Sequence, residues 1–226
     1  MALHHAPIAR GLMARTRAPN YEDQKESILA GAADLFARRG YLGTSMNDVA
    51  DACGLSKGSL YHYYRDKDEL LISIAETHVT RLVTLVKSVE QDKTIPARER
   101  LQVLIMRFLI EYSDAQNSHR VLTEDVKYLP EAARQRILDR ERVVVKGFAD
   151  AIAVLRPDTK AADLHKAVAM LLFGMLNWMF TWLRPDGSLT HATIAPLVCE
   201  LFFHGLEGMP EMGKKPKSLT KATAKP

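Results

Sequence analysis

The segment Ser56-Lys57-Gly58-Ser59-Leu60-Tyr61 sets hydroxyls, a flexible cation and a glycine within one short stretch. Hydroxyl and ammonium groups donate to phosphate oxygens and to base edges, and a glycine lets the backbone come close to a ligand. A helix carrying them into a major groove about 12 Å wide must present residues that are small, or long and polar. Ser56, Lys57, Gly58 and Ser59 meet that demand, while Leu55 and Leu60 can point inward and hold the helix on its partner. Other chemistry is poorly supplied. His4, His5, His62, His78, His119, His165, His191 and His204 are scattered, and none pairs with Cys, Asp or Glu at metal-site spacing on one helix face. Cys53 and Cys199 lie far apart, outside any metal or redox spacing, and fit small buried hydrophobes in a reducing cytoplasm. No nucleophile elbow, phosphate-binding loop or paired-carboxylate motif is present, so no enzyme, metal or cofactor is expected.

The elements that must position the segment are helices. Glu22 to Arg39 has one apolar face, with Ile28, Ala32, Leu35 and Phe36 at helical spacing, and Gly40 ends it. Ser45 is the candidate N-cap of a short helix, with Asp48 three residues on in the capping-box position. Gly54 breaks that helix, and Ser56 caps the next, which runs through Tyr61 to Tyr64. Two short helices joined by a tight turn make a helix-turn-helix arrangement. Asp66 opens a longer helix, to about Lys87, with Asp68 and Glu69 favourable at its positive end. Further helices are expected at about Ala97–Tyr112, around Val121–Tyr128, from Pro130 to Leu155, from Ala161 to Leu183 and from His191 to Leu206. The class is all-α, with an N-terminal three-helix unit over 21–66 and a larger helical unit over 67–208. Residues 1–20 read as a flexible basic arm, without the apolar stretch of a secretory signal, and 209–226 as a disordered basic tail.

With 226 residues, 47 % of them apolar, the chain can bury a substantial core. Its formal charge is +4, but Arg10, Arg15 and Arg17 give the first arm +3, and five lysines with Glu211 give the tail +4. The part between, 21–208, is therefore −3, and the basic balance is no evidence by itself that the folded part meets a polyanion. Residues 167–183 are almost uninterruptedly apolar. They contain Asn177 and Thr181 and sit at the short limit of the ~17–25 residues a span needs. A helix buried on all sides is expected rather than a membrane partner.

The run Gly40-Tyr41, Thr44-Ser45-Met46, Asp48-Val49-Ala50, Cys53 through Tyr61, then Tyr64 and Lys67, closely resembles the N-terminal signature of TetR-type transcriptional repressors over about residues 25–71. It departs at Tyr63, where His is common, and at Cys53, where Ala is common. The resemblance implies a DNA-binding surface of Thr44, Ser45, Ser56, Lys57, Gly58, Ser59, Tyr61, Tyr63 and Lys67. Thr44, Tyr63 and Lys67 would meet phosphates, and Lys57, Gly58 and Tyr61 would face base edges or the nearby backbone. It also implies a homodimer on a palindromic double-stranded DNA operator, with Phe173, Leu176, Phe180, Leu197, Leu201 and Phe202 as candidates for its interface. Each of these could equally belong to the chain's own core.

The stretch with Asn177-Trp178, Trp182 and Arg184 through Thr190 is similar, more loosely, to the branch that governs catabolism of fatty acids, aromatic acids or sterol fragments and senses CoA thioesters. A small-molecule inducer such as an acyl-CoA or phenylacetyl-CoA-like thioester would need apolar walls and a few polar groups. Met106, Arg107, Tyr112, Tyr128, Phe148, Met175, Asn177, Trp178 and Trp182 are the candidates. Core packing is the plainer reading of each aromatic or Met, and an ion pair with Glu111 or Glu124 that of Arg107. A regulator of efflux or stress genes sensing a drug-like ligand, and a helical ligand carrier without DNA function, are the alternatives.

Overall fold

The computed structural model describes residues 21–184 and 187–211. The expected arm at 1–20 lies outside the described residues, as does the tail beyond 211. Of that tail, Met209 packs against the core and the Pro210 carbonyl accepts from Arg156 Nη2 at 3.2 Å.

Local chemistry sets the first helices. α1 spans Tyr21–Arg39, α2 Met46–Ala52, α3 Lys57–Tyr63 and α4 Lys67–Gln91. Ser45 Oγ accepts from the Asp48 N–H at 3.2 Å while the Ser45 N–H donates back to Asp48 Oδ2 at 2.7 Å, a complete capping box. Ser56 and Asp66 cap α3 and α4 through the N–H groups of Ser59 and Glu69. α2 stops in a Schellman turn. Leu55 N–H reaches Ala50 O at 2.9 Å, Gly54 N–H reaches Asp51 O at 3.1 Å, and Gly54 sits at φ +65°.

The body follows as α5 (Arg100–Asp114), α6 (Gln116–Glu124), α7 (Glu131–Leu155), α8 (Pro157–Ala161), α9 (His165–Asn177) and α10 (His191–Gly208), with 3₁₀ turns at Val126–Tyr128 and Met179–Thr181. Among the described residues there is no strand, and the fold is all-α.

Two expected helices differ. The one placed around Val121–Tyr128 starts earlier, at Gln116, and tightens into a 3₁₀ turn before extended Leu129, which precedes Pro130 and so avoids the helical region. The single helix expected over 161–183 is broken. Asp163, at φ +59°, closes α8 in a second Schellman turn through Leu164 N–H to Thr159 O at 2.7 Å, and α9 ends at Asn177. Asp tolerates this left-handed conformation better than most residues.

One hydrophobic cluster runs from Ile28 to Leu206, joining the first three helices to the body. α4 packs on α7, α7 on α9, and α5 on α10, while α6 lies against both α1 and α4. α4 therefore ties the N-terminal helices to the centre of the body. Its approach to α7 depends on Gly147, where a Cβ would stand 2.2 Å from Val86 Cγ1. No described helix is long and apolar enough to cross a membrane.

Candidate nucleic-acid interface and ligand cavity

Buried Val49 and Ala50 of α2, Leu60 of α3 and Tyr64 fix the two short helices against the core. That anchoring turns Lys57, Gly58, Ser59 and Tyr61 outward, all exposed. With the first turn of α2 and the turn after α1, Lys57 and Tyr61 border an open groove of about 480 Å³ that also includes Leu42, Asn47 and Lys67. Lys57 Nζ lies 5.9 Å from the Tyr61 ring centre, so cation and aromatic ring act side by side.

Six expected contact residues are engaged within the fold, among them Ser56 and Ser59, whose hydroxyls lie 2.8 Å apart in the α3 cap. Thr44 is only 2 % exposed, and its hydroxyl donates to Gly40 O at 3.0 Å, which takes the side chain out of reach of a phosphate. Lys67 Nζ donates to Tyr41 O at 2.8 Å and Thr44 O at 2.9 Å and lies 4.2 Å from the Tyr41 ring. An ammonium has three donors, so one is left for an anion. Tyr63 is half-buried and stacks on Tyr21 at 4.9 Å, and the Ser45 hydroxyl is committed to its capping box.

Three acids of α2 and the first turn of α4 are likewise bound internally. Asp48 takes both Ser45 donors, which hold its carboxyl below the usual range, and Arg39 lies 3.7 Å away. Asp68 accepts from Tyr41, and Glu69 from the Arg65 N–H.

The body holds a cavity of about 150 Å³ between α4, α5, α6, α7 and α9. Its apolar wall is Val79 and Leu82 from α4, Leu122 from α6, Val144 and Val145 from α7, and Phe173 from α9, with half-exposed Met170 also in the lining. Its polar wall is Tyr112, His119, Thr123, Glu141 and Asn177. The Tyr112 hydroxyl donates to Asn177 Oδ1 at 3.0 Å, and the Tyr112 ring stacks on His119 at 3.6 Å. Behind the wall, His119 Nδ1 and His78 Nε2 are 3.3 Å apart, and His78 Nδ1 is 3.9 Å from Glu111 Oε1. Burial pushes both imidazoles down, His78 to about 4 and His119 to about 3, so both are neutral near pH 7. Burial pushes the Glu141 carboxyl up.

A third feature is an exposed apolar face. On α9 and just beyond, Leu171 is 71 % exposed, Met175 36 %, Trp178 66 % and Trp182 49 %; on α10, Leu197 is 56 % and Leu201 69 %. Large apolar side chains exposed in this number are candidates for an interaction surface.

Residues 28–74 match the family described as bacterial regulatory proteins, tetR family, and residues 94–206 match the tetracyclin repressor-like C-terminal domain. The chain belongs to the TetR family of bacterial transcriptional regulators. It is 33 % identical to a TetR-family transcriptional regulator of Bordetella parapertussis 12822, whose crystal structure superposes with a TM-score of 0.77 over 84 % of this chain and 99 % of that one. It is 27 % identical over 195 residues to the transcriptional activator FasR of Mycolicibacterium smegmatis, covering 84 % of this chain and 85 % of FasR. AibR in complex with isovaleryl coenzyme A and operator DNA is 28 % identical, with a TM-score of 0.68 over 79 % of this chain and 98 % of AibR. The matched families are regulators of transcription and not enzymes.

Within this TetR-family body the expected ligand and dimer residues sort differently from the sequence reading. Tyr112 and Asn177 line the cavity. Phe148 is fully buried in an aromatic cluster with Phe108 and Phe173, and Met106 is partly buried against the core without reaching the cavity. Arg107 is exposed rather than buried, and pairs with neither acid: Glu111 faces His78, and Glu124 pairs with Arg120 at 3.0 Å. Tyr128 stacks on Tyr41, beside the DNA-binding fold. Met175, Trp178 and Trp182 stand on the exposed face instead.

Of the residues expected at a dimer interface, Phe173 and Leu176 are buried inside the chain, and Phe180 is half-buried against His119 and Arg120. Phe202 packs partly on the core, while Leu197 and Leu201 are on the exposed face. The cause is one property of α9: it is apolar all round, so periodicity does not say which side faces out. His119, Glu141, Thr123, Val79 and Met170 were missed as cavity residues because they come from four helices with no shared motif.

Proposed function

We propose that this TetR-family protein is a cytoplasmic repressor that occupies a palindromic operator as a homodimer and leaves it when a small hydrophobic or CoA-thioester ligand fills the body cavity. Its targets would be genes for the catabolism of fatty or aromatic acids. The observation that carries the DNA-binding part is the outward set of Lys57, Gly58, Ser59 and Tyr61 on a short helix pinned by buried Leu60. In this reading residues 21–66 are the DNA-binding head, and 67–208 bind ligand and the second subunit. Lys57, Gly58 and Tyr61 meet base edges, the spare donor of Lys67 and the Tyr63 hydroxyl meet phosphates, and Ser45, Ser56 and Ser59 hold the helix starts. Occupancy alone blocks a promoter, so repression asks for no further surface.

The homodimer is assigned to the face of Leu171, Trp178, Trp182, Leu197 and Leu201. Two heads must be set about 34–36 Å apart to dock on half-sites one helical turn apart. The ligand class is supported by the likeness to AibR, solved with isovaleryl coenzyme A, and by size. A cavity near 150 Å³ suits a benzene-sized or short branched acyl group. Because α4 contributes Val79 and Leu82 to the wall and begins beside the head, a filled cavity shifts α4 and changes the separation of the heads. Coupling of about 1–3 kcal/mol is usual for such linkage.

Genomic footprinting followed by fluorescence anisotropy on the recovered site tests the proposal. The expected result is protection of a palindrome at low salt and its release by a short acyl- or aryl-CoA. A purified dimer that ignores every palindromic duplex at low salt refutes DNA binding, and an operator complex indifferent to a broad thioester panel refutes the ligand class.

A further inference from the structure

The cavity contains a carboxylate that no protein cation neutralises. Half-buried Glu141 lines it, and among the described residues its carboxylate has no hydrogen-bond or ion-pair partner. No Lys or Arg lines the cavity either. Burial is the cause that raises the Glu141 pKa, as expected where no cation compensates the charge.

The neighbouring polar groups extend the pattern. Glu111 Oε1, 3.9 Å from His78 Nδ1, favours a proton on that nitrogen. His78 Nε2 then accepts from His119 Nδ1–H across 3.3 Å, and His119 Nε2 is left with a lone pair. That Nε2 is buried and without a partner. Asn177 Oδ1 is occupied by the Tyr112 hydroxyl, so the amide N–H₂ is the donor that Asn177 has to offer. One amide donor in a cavity that also holds an acid suits a ligand head with a carbonyl and no negative charge.

We propose that the cavity is a charge filter: it admits a short acyl or aryl group in its uncharged, derivatised form and rejects the corresponding free carboxylate, with Glu141 as the discriminating residue. This rests on the reading of the cavity as the ligand site. A carboxylate brought beside Glu141 meets a like charge with no cation in the lining to offset it, or forces one of the two acids to hold a proton, and either reduces affinity. An amide or thioester carbonyl meets the Asn177 donor without that penalty. A regulator built this way responds to the activated form of an acid and ignores the acid itself.

The test uses the full chain and probes of one ring: benzamide, benzoate and benzylamine, titrated by ligand-observed NMR, with operator binding measured in the same preparation. Wild type is expected to bind benzamide and benzylamine, with benzoate weaker by about tenfold or more. In Glu141→Gln the gap between benzamide and benzoate should close to within about threefold, and in Asn177→Asp, which adds a second acid, it should persist or widen. Equal binding of benzoate and benzamide by wild type overturns the proposal, as does an unchanged gap in Glu141→Gln. So does failure of every ring to bind while the operator complex stays intact, a result that leaves the DNA-binding reading standing. Loss of the operator complex with charge discrimination intact sinks the regulator reading and upholds the filter.

Discussion

At the scale of the residue, side chains on one surface divide by what they are free to do. Lys57 and Tyr61 are exposed on α3 and hold no structural bond, whereas Thr44 is buried and Lys67 ties Tyr41 and Thr44 together. Lys57→Ala and Tyr61→Ala are therefore expected to leave the melting temperature unchanged. In the proposed complex both meet base edges, so each substitution should cost about 1–3 kcal/mol of operator binding and relax sequence preference, and Lys57→Ala alone, which removes a cation, should also lower the salt dependence. Anisotropy titrations over a salt series separate the two, and unchanged affinity in both variants refutes the assigned interface. Lys67→Ala should instead lose stability along with affinity.

The buried His78–His119 pair makes a prediction of a different kind. Each has its folded pKa below the ordinary 6.5, at about 4 and about 3. Between 6.5 and those values the unfolded chain binds protons that the folded chain refuses, so stability is full above pH 6.5 and falls as pH drops. The slope is about 1.4 kcal/mol per pH unit for each imidazole. The raised carboxyls of Glu111 and Glu141 titrate with the opposite sign, so the comparison must be with a variant. Urea unfolding at pH 7 and pH 5 should show a smaller loss in the His78→Leu/His119→Leu double variant than in wild type. Parallel losses would show that the pair is not the source.

At the scale of the element, turns and close approaches decide whether helices sit where the chemistry needs them. Gly54 closes α2 at φ +65° with nothing within 4 Å of where a Cβ would go. Gly54→Ala should thus cost backbone strain alone, about 1–2 kcal/mol, visible in chemical denaturation and as weaker operator binding because α3 follows directly. Gly147 is the contrary case, since a Cβ there collides with Val86. Gly147→Ala should force α7 from α4 and destabilise by about 1–3 kcal/mol, and Val86→Ala should restore part of that loss.

What could be read from the sequence follows the same division. The caps Ser45, Ser56 and Asp66 were legible because an N-cap acts on an N–H two or three residues away, inside the sequence window. The glycine stops at Gly40 and Gly54 were legible for the same reason. The broken helix over 161–183 was hidden because its apolar run carries no Gly or Pro at Asp163. Side-chain direction was hidden too: nothing in the sequence tells that Thr44 turns inward, or that Phe173 faces the core while Trp178 faces out. The cavity was least legible, because His119, Glu141 and Asn177 belong to three helices and meet only through packing.

At the scale of the whole molecule, the exposed tryptophans need an account. Trp178 at 66 % and Leu201 at 69 % exposure contribute little to the fold of one chain. Their apolar area is removed from water only if a second surface covers it, at roughly 25 cal/mol per Å². A two-fold pairing through α9 and α10 does this with one patch used twice, as an isologous dimer requires. Such a pairing would also couple the ends of the body to the heads that α4 carries. Trp178→Glu combined with Leu201→Glu is accordingly expected to halve the mass in sedimentation while preserving helical content and cavity binding. Each head alone retains its groove contacts but loses the second half-site, so operator affinity should fall by about a hundredfold or more. A double variant that stays dimeric with full operator affinity would place the subunit interface elsewhere and leave the tryptophan face for another partner.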